Sequence, residues 1–366
     1  MIKLSEGPSF LGTLVLVFLS MAVLFAVDTF LAGADRAESV AGAARLYREG
    51  EDLMQHGRHA EAIGRFQDAL SMERGNRDYQ RALAEAQLAA GKSADAESTL
   101  SDLLQSDPTD GSASLLMSRV IVKQRRYAEA ISYLHRAIYG EWKNDPAGNR
   151  LRARFELIDL LAKRNSKEEL LSELMAVQDQ LPPELERKRG RLFLQAGSPN
   201  RAAEVFHAIL NDDPENADAL TGLGEAEFAR GDYRAAQHDF QSGLRAAPDD
   251  QEARQHLELV NQVLDLDPTI RGLGPSERFR RSRRLMAMTA EAVRNCAGQN
   301  VLPELQELLG QADSAGKERV KPAQESENAE SYLGLAEQLW ETRKKICKTE
   351  PDSNGPLALV LARIAQ

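Results

Sequence analysis

The sequence predicts an all-α fold of repeated helical hairpins, and three observations point to it. Ala, Leu, Arg, Glu and Gln are abundant while aromatics make up 5% of the chain; these residues lose little side-chain freedom in a helix. A pattern of glycine, alanine and a large apolar residue recurs, with Gly57, Gly91 and Arg125 each 34 residues from the next. Near the N-terminus, residues 10–27 (FLGTLVLVFLSMAVLFAV) form an apolar run without a charge, the signature of one long buried or lipid-facing helix.

Composition narrows the function classes. The 366 residues suffice for two or three ordinary domains or for one elongated array. Lys and Arg number 46 against 56 Asp and Glu, a net charge of -10. That balance argues against a general nucleic-acid binder, which needs a broadly basic face.

The first element is a membrane span. At about 1.5 Å per residue, residues 10–27 reach roughly 27 Å, close to the ~30 Å hydrocarbon core, and including Phe30 and Leu31 improves the match. We read 1–9 as a short cytoplasmic N-terminus, 10–31 as a transmembrane helix and 32–42 as a linker. The alternative is a cleaved signal peptide, for which Ala32-Gly33-Ala34 offers a small-residue cleavage site. Against it, the apolar run exceeds the usual ~7–15 residues, and Asp28 interrupts the approach. Lys3 precedes the span, while Asp28, Asp35 and Glu38 follow it with Arg36. The positive-inside rule then places the N-terminus in the cytoplasm and the rest outside, in the periplasm if the chain is bacterial.

The repeat comes next. GRHAEAIGRFQDAL (57–70), GKSADAESTLSDLLQSDP (91–108), RRYAEAISYLHRAI (125–138) and GDYRAAQHDFQSGLRAAP (231–248) align without a gap. Gly57, Gly91 and Gly231 share one place, which Arg125 takes in the third stretch. Ala62, Ala96, Ala130 and Ala236 follow five residues later, then Phe66, Leu100, Leu134 and Phe240. The glycine ends a first helix where left-handed backbone is required. Positions i, i+4 and i+7 form one stripe of a second helix. Its small residue lets two helices approach, and its large one fills the space between hairpins. Pro108, Pro214 and Pro248 stop the second helices.

This pattern resembles the tetratricopeptide repeat (TPR), over roughly residues 43–267. Units fall at 43–76, 77–110, 111–144, 151–182, 183–216 and 217–250, with a further helix from 251. The small residue of the first helix is Gly50, Ala84, Ser118, Gly190 and Gly224. Unit 217–250 matches closely. Unit 151–182 departs, with Leu170 in place of alanine and Ile158 in place of a small residue, and an insertion at 145–150 precedes it. A wider or skewed hairpin is expected there. The resemblance implies a right-handed α-solenoid whose concave side, lined by first helices, receives an extended or helical segment of a partner protein. Mapped on this chain, the groove slots are Tyr47, Glu51, Asp78, Arg81 and Glu85 in the early units. In the middle they are Arg119, Lys123, Arg152, Phe155, Lys163, Arg187 and Arg191, and later Asp218, Thr221, Glu225 and Phe228. The basic middle suits an acidic segment or a C-terminal carboxylate. The alternative pairs these bases with neighbouring acids such as Glu156 and Asp159. The asparagines of the family's carboxylate-clamp subclass are absent from the matching slots.

Beyond Asp267-Pro268 the repeat phase is lost, and residues 268–366 read as a C-terminal helical cap on the array. One helix opens at Pro275-Ser276, with Phe279, Met286, Ala290 and Val293 on its apolar stripe and Arg278, Arg280, Arg281, Arg283 and Arg284 as a basic cluster. That cluster is either a solvated face or a contact for anionic lipid or an acidic partner. A helix near 302–314, a mobile polar linker at 313–330, a helix near 329–347 and a short one from Gly355-Pro356 complete the region. Cys296 and Cys347, the two cysteines of the chain, each close a helix. One intervening helix would make those two parallel and bring both ends to one side. We expect a disulfide if the soluble part lies in an oxidising compartment, the alternative being two buried thiols.

No catalytic motif accompanies the repeats: GxxxxGK(S/T), HExxH, GxSxG and paired CxxC are all missing from the sequence. His56 and His59 flank a turn and lack a recognisable ligand set. The expectation is therefore a membrane-tethered protein-interaction scaffold that helps assemble a membrane or envelope complex, with no enzymatic activity, cofactor or metal. The competing readings are a cleaved, secreted TPR binding protein and an enzyme using Glu277, Glu304, Glu307 and Glu337.

Overall fold

The computed structural model describes residues 10–178, 181–297, 303–347 and 355–365. The chain divides into two units, Met1–Leu160 and Leu161–Gln366. Among the described residues every regular element is helical, apart from one isolated backbone bridge between Asp110 and Glu141.

In the first unit, α1 (Phe10–Gln55) pairs with α2 (His59–Met72), α3 (Arg77–Ala89) with α4 (Ser93–Ser106), and α5 (Gly111–Lys123) with α6 (Tyr127–Tyr139). α7 (Pro146–Lys163) follows and crosses into the second unit. There the order continues with α8 (Lys167–Met175), the hairpin of α9 (Pro183–Gln195) and α10 (Pro199–Asp212), the hairpin of α11 (Ala217–Ala229) and α12 (Tyr233–Ala246), and α13 (Gln251–Leu266).

Local chemistry sets the ends of these helices. Asn76, Asp110, Asn216 and Asp250 cap first helices, their side-chain oxygens accepting backbone N–H bonds from the opening turn. Between the paired helices the chain turns through left-handed backbone at Gly57, Gly91, Gly197 and Gly231, and also at Arg125 and Asn165. The next N–H then reaches back to the helix it leaves, as from Arg58 to Leu53 O at 2.9 Å and from Asp232 to Glu227 O at 2.9 Å.

The second-helix stripe is the core. Ala62, Phe66, Ala96, Leu100, Ala130, Leu134, Ala236 and Phe240 are all buried. Phe206, fully buried, fits between Gly190 of its own hairpin and Gly222 of the next, where an added Cβ would stand 2.6 and 2.3 Å from its ring. Only glycine allows that approach from both sides.

Two expectations change, those for 32–42 and 313–330, and the irregular unit gains detail. The stretch 32–42, read as a linker, is helical: α1 runs unbroken from Phe10 to Gln55. Ala32, Ala34, Ala37, Ala41, Ala43 and Ala44 favour helix, and no proline interrupts them. The insertion at 145–150 supplies the first turn of a longer α7, begun at Pro146 where proline is preorganised. Ile158 and Leu170, which depart from the repeat pattern, are simply large core residues, 0% and 1% exposed. The polar stretch 313–330 is largely helical, leaving a short connection and one 3-10 turn at Pro322–Gln324; its alanines and glutamates are helix formers.

The C-terminal helices are α14 (Pro275–Ala297), α15 (Pro303–Lys317), α16 (Glu325–Ile346) and α17 (Pro356–Ile364). They share one apolar core with α12 and α13, including Phe240, Val260, Val263, Leu285, Leu339 and Val360. α14 and α16 run parallel: Ser276 meets Glu325 at their starts, and Cys296 and Cys347 are joined at their ends with Cα atoms 5.7 Å apart. Arg363 of α17 reaches the fully buried Asp267 carboxylate at 2.6 Å, which also accepts the Thr269 N–H and O–H at 2.7 Å.

Candidate functional site

In the first unit, α3, α5, the 140–145 loop and α7 enclose a cleft of about 380 Å³. The loop is laced onto the start of α5: Gly111 N donates to Glu141 O at 2.9 Å, and Glu141 N to Thr109 O at 2.8 Å. The Trp142 indole donates to Ala137 O at 2.9 Å and lies flush against Gly111. This lacing carries Trp142, Lys143 and Asn144 to the cleft.

Arg81, Arg119, Lys143 and Arg152 line the cleft, against the acids Asp78 and Glu85. Arg119 forms a two-pronged contact with Glu156, 2.5 and 3.0 Å long, and this bond holds its guanidinium pKa above the ordinary value. Lys143 lies 3.2 Å from Asp78, which Arg81 also contacts. Arg152 donates to Asn149 Oδ1 at 3.1 Å, and Asn149 in turn donates to Asn144 O at 2.8 Å. The cleft thus has four basic groups, the exposed Asn144 and the half-buried Asn149. Each of the four bases also holds a partner within the chain, Arg81 and Lys143 on Asp78, Arg119 on Glu156 and Arg152 on Asn149.

The other basic slots fall elsewhere. Lys123 donates to Leu88 O at 3.2 Å. Phe155, read as a groove residue, is a core residue with 6% of its surface exposed, while Arg152, three positions earlier on α7, is exposed. Lys163 is exposed at the end of α7. Arg187 and Arg191 both turn to Asp218, at 3.4 and 3.8 Å.

The second unit holds a different cluster. Glu225 of α11 meets Glu252 and His256 of α13, with their ligand atoms all within 4.8 Å of one another. Burial pushes the Glu225 carboxyl above its ordinary value; His256 opposes the shift and Glu252 adds to it. The sequence reading placed Glu225 in a groove slot but gave no role to Glu252 or His256. Their i, i+4 spacing on a first-helix face was the available signal. Of the carboxylates in the enzymatic alternative, Glu277 is clamped by Arg280 and Arg281. At the first turn, His56 Nδ1 lies 2.7 Å from Asp52 O.

Stacked antiparallel hairpins with small residues facing large ones define a helical-repeat protein, in which each hairpin is covered by its neighbours. The repeats are tetratricopeptide repeats: the family model matches residues 53–120 and 193–268. Repeats of this kind form a scaffold for protein–protein interaction. A protein of Escherichia coli O157:H7 described as cellulose synthase operon protein C is 24% identical over 194 residues, 52% of this chain and 17% of that protein. The chain therefore spans a small part of that relative's length. Among solved structures, the C-terminal part of a TPR repeat-containing protein from Cytophaga hutchinsonii is 11% identical with a TM-score of 0.45, covering 82% of this chain and 97% of that one. A tetratricopeptide repeat protein from Parabacteroides merdae is 18% identical with a TM-score of 0.36, covering 67% and 94%.

Proposed function

We propose that the chain is a membrane-tethered scaffold whose first repeats hold an acidic segment of a partner protein, in support of an envelope complex. The observation that carries this reading is the cleft among Arg81, Arg119, Lys143 and Arg152. Fixed basic groups beside side-chain amides suit a carboxylate-bearing peptide, because guanidinium and amide N–H groups both donate to carboxylate oxygens. The tether is α1, the helix among the described residues that is long and apolar enough to cross a membrane. Large apolar residues between Leu14 and Phe30 are exposed along it, Phe30 by 75%, and lipid is the medium that would cover them. The flanking charges favour a cytoplasmic N-terminus. The joined Cys296 and Cys347 suit an oxidising compartment, which is the periplasm in a bacterium. The E. coli relative is named for a cellulose synthase operon, in keeping with an envelope role.

Photo-crosslinking in native membranes tests the reading. With a crosslinker at Ser112 of the full chain, a partner should be captured through an acidic segment. Lys143→Glu together with Arg152→Glu should abolish that capture while leaving the chain in the membrane fraction. Equal capture by the double variant would refute the basic cleft as the docking point. Release of the chain by alkaline extraction would refute the tether.

A further inference from the structure

We propose that Glu225, Glu252 and His256 form a binding site for one zinc ion in the second unit. Two donors come from one face of α13 and the third from α11, so the site joins two neighbouring first helices. All three ligand atoms lie within 4.8 Å of one another. Around a zinc ion with bonds of about 2.0–2.1 Å, tetrahedral ligands stand roughly 3.3 Å apart. Side-chain rotation alone closes the difference, since Glu carries three rotatable bonds and no backbone need move.

The imidazole is aimed by its surroundings. Its ring stacks on Phe240, with centroids 5.4 Å apart and planes 8° from parallel, and meets Phe228 edge-on at 6.3 Å. Phe240 is itself fully buried, so the stack is anchored in the core and fixes the ring plane toward the carboxylates. Among the described residues no ion pair or side-chain hydrogen bond occupies Glu225, Glu252 or His256. Two carboxylates converging without a bound cation repel each other; a divalent cation converts that repulsion into attraction. The donor set selects the metal. Calcium and magnesium take oxygen ligands, whereas imidazole with carboxylates suits zinc and its neighbours. Three protein donors leave a fourth position for water.

The test uses the full chain in detergent, stripped with chelator and kept oxidised so that the cysteines stay paired. Titration with cobalt(II) as a spectroscopic probe should give one equivalent of visible d–d absorption, which zinc then displaces, and calorimetry should give one zinc per chain. His256→Phe keeps a ring on Phe240 and removes the donor. Glu252→Gln is a solvent-exposed change that spares the fold. Each should weaken zinc binding on the order of 100-fold, the upper end of what even partners outside the coordination sphere contribute. Replacing His207 and His238, the other histidines of this unit, should change nothing. Absence of zinc binding, equal binding by His256→Phe or Glu252→Gln, or loss of binding in the His207/His238 variant would each overturn the site.

Discussion

The repeat hairpins and the C-terminal bundle are both all-helical, yet they are held together by different means. In the hairpins, contacts join near neighbours in the chain: Phe66 meets Gly50, Phe240 meets Gly224, and Phe206 reaches one hairpin further to Gly222. In the bundle the ties span long stretches. The bond between Cys296 and Cys347 closes 51 residues, and the Arg363–Asp267 pair joins positions 96 apart. The difference teaches that the hairpins derive their order from shape repeated at a fixed interval. The bundle, which has no interval, relies on individual links. A cap must end the stacking, so its outward face cannot repeat the pattern it covers.

The largest expected effect breaks the shape rule. Phe206→Ala removes a fully buried ring between two glycines, which carry no side chain to fill the space. The loss should approach about 5 kcal/mol, the upper end for such truncations. Hydrogen exchange should show it first in α9–α11, with α14 and α16 protected until later. Uniform loss of protection throughout the second unit would show that the hairpins are not locally stabilised.

Next comes the long-range link. Cys347→Ser should destabilise the bundle by about 4 kcal/mol in the chain-entropy model for a loop of this length. Denaturant unfolding of the oxidised wild type and the variant measures it, and protease susceptibility should rise at 303–325 before it rises in the hairpins. A variant as stable as the wild type would mean that the apolar core shared with α13 holds the bundle unaided.

A smaller effect depends on pH. Burial pushes the Asp239 carboxyl up to about 6; His238 and His207 oppose the shift, and Glu227 and Asp232 add to it. Asp239 in the folded chain therefore keeps its proton to a higher pH than in the unfolded chain, where it titrates near 3.8. Its contribution to stability is present in full below about pH 4. It falls as the pH rises through about 6, because charging the buried carboxyl is easier once unfolded. Asp239→Asn should thus be more stable than wild type at pH 7, with the difference disappearing by pH 4. A difference independent of pH would place the effect in packing instead.

Much of this comparison was legible in the sequence, and the rest was not for physical reasons. Repeated glycine, alanine and phenylalanine announce hairpins because each acts on a neighbour at fixed spacing. Helix ends at Pro275 and Pro356 were readable from local propensity. The continuity of α1 was missed because a run of alanines between an apolar span and a repeat reads equally well as a spacer. Phe155, placed in the groove by the repeat pattern, is buried; the insertion at 145–150 lengthens α7 at its start and breaks the fixed spacing on which that placement relied. The 140–145 loop reaches the cleft through backbone bonds at Gly111 and Glu141, which no side-chain pattern encodes. Asp267 stands out in the sequence only as the point where the repeat phase is lost; its partner, Arg363, lies too far along the chain for spacing to suggest the pair.

The smallest predicted effect sharpens the shape rule at a single turn. Gly57, Gly91, Gly197 and Gly231 take the left-handed backbone with φ between 72° and 79°, and Arg125 takes it with φ 63°. For a residue with a Cβ that conformation costs about 1–2 kcal/mol, whereas glycine enters it freely at some cost in unfolded-chain entropy. Arg125 is exposed, so losing its side chain removes little packing. Arg125→Gly should then stabilise the first unit by about 0.5–1 kcal/mol, and Gly231→Arg should destabilise the second by about 1 kcal/mol. Equilibrium unfolding of the two variants measures both. If the turns are interchangeable parts, the two changes will have opposite signs and similar size; a loss at both sites would mean that Arg125 holds its turn through contacts beyond the backbone.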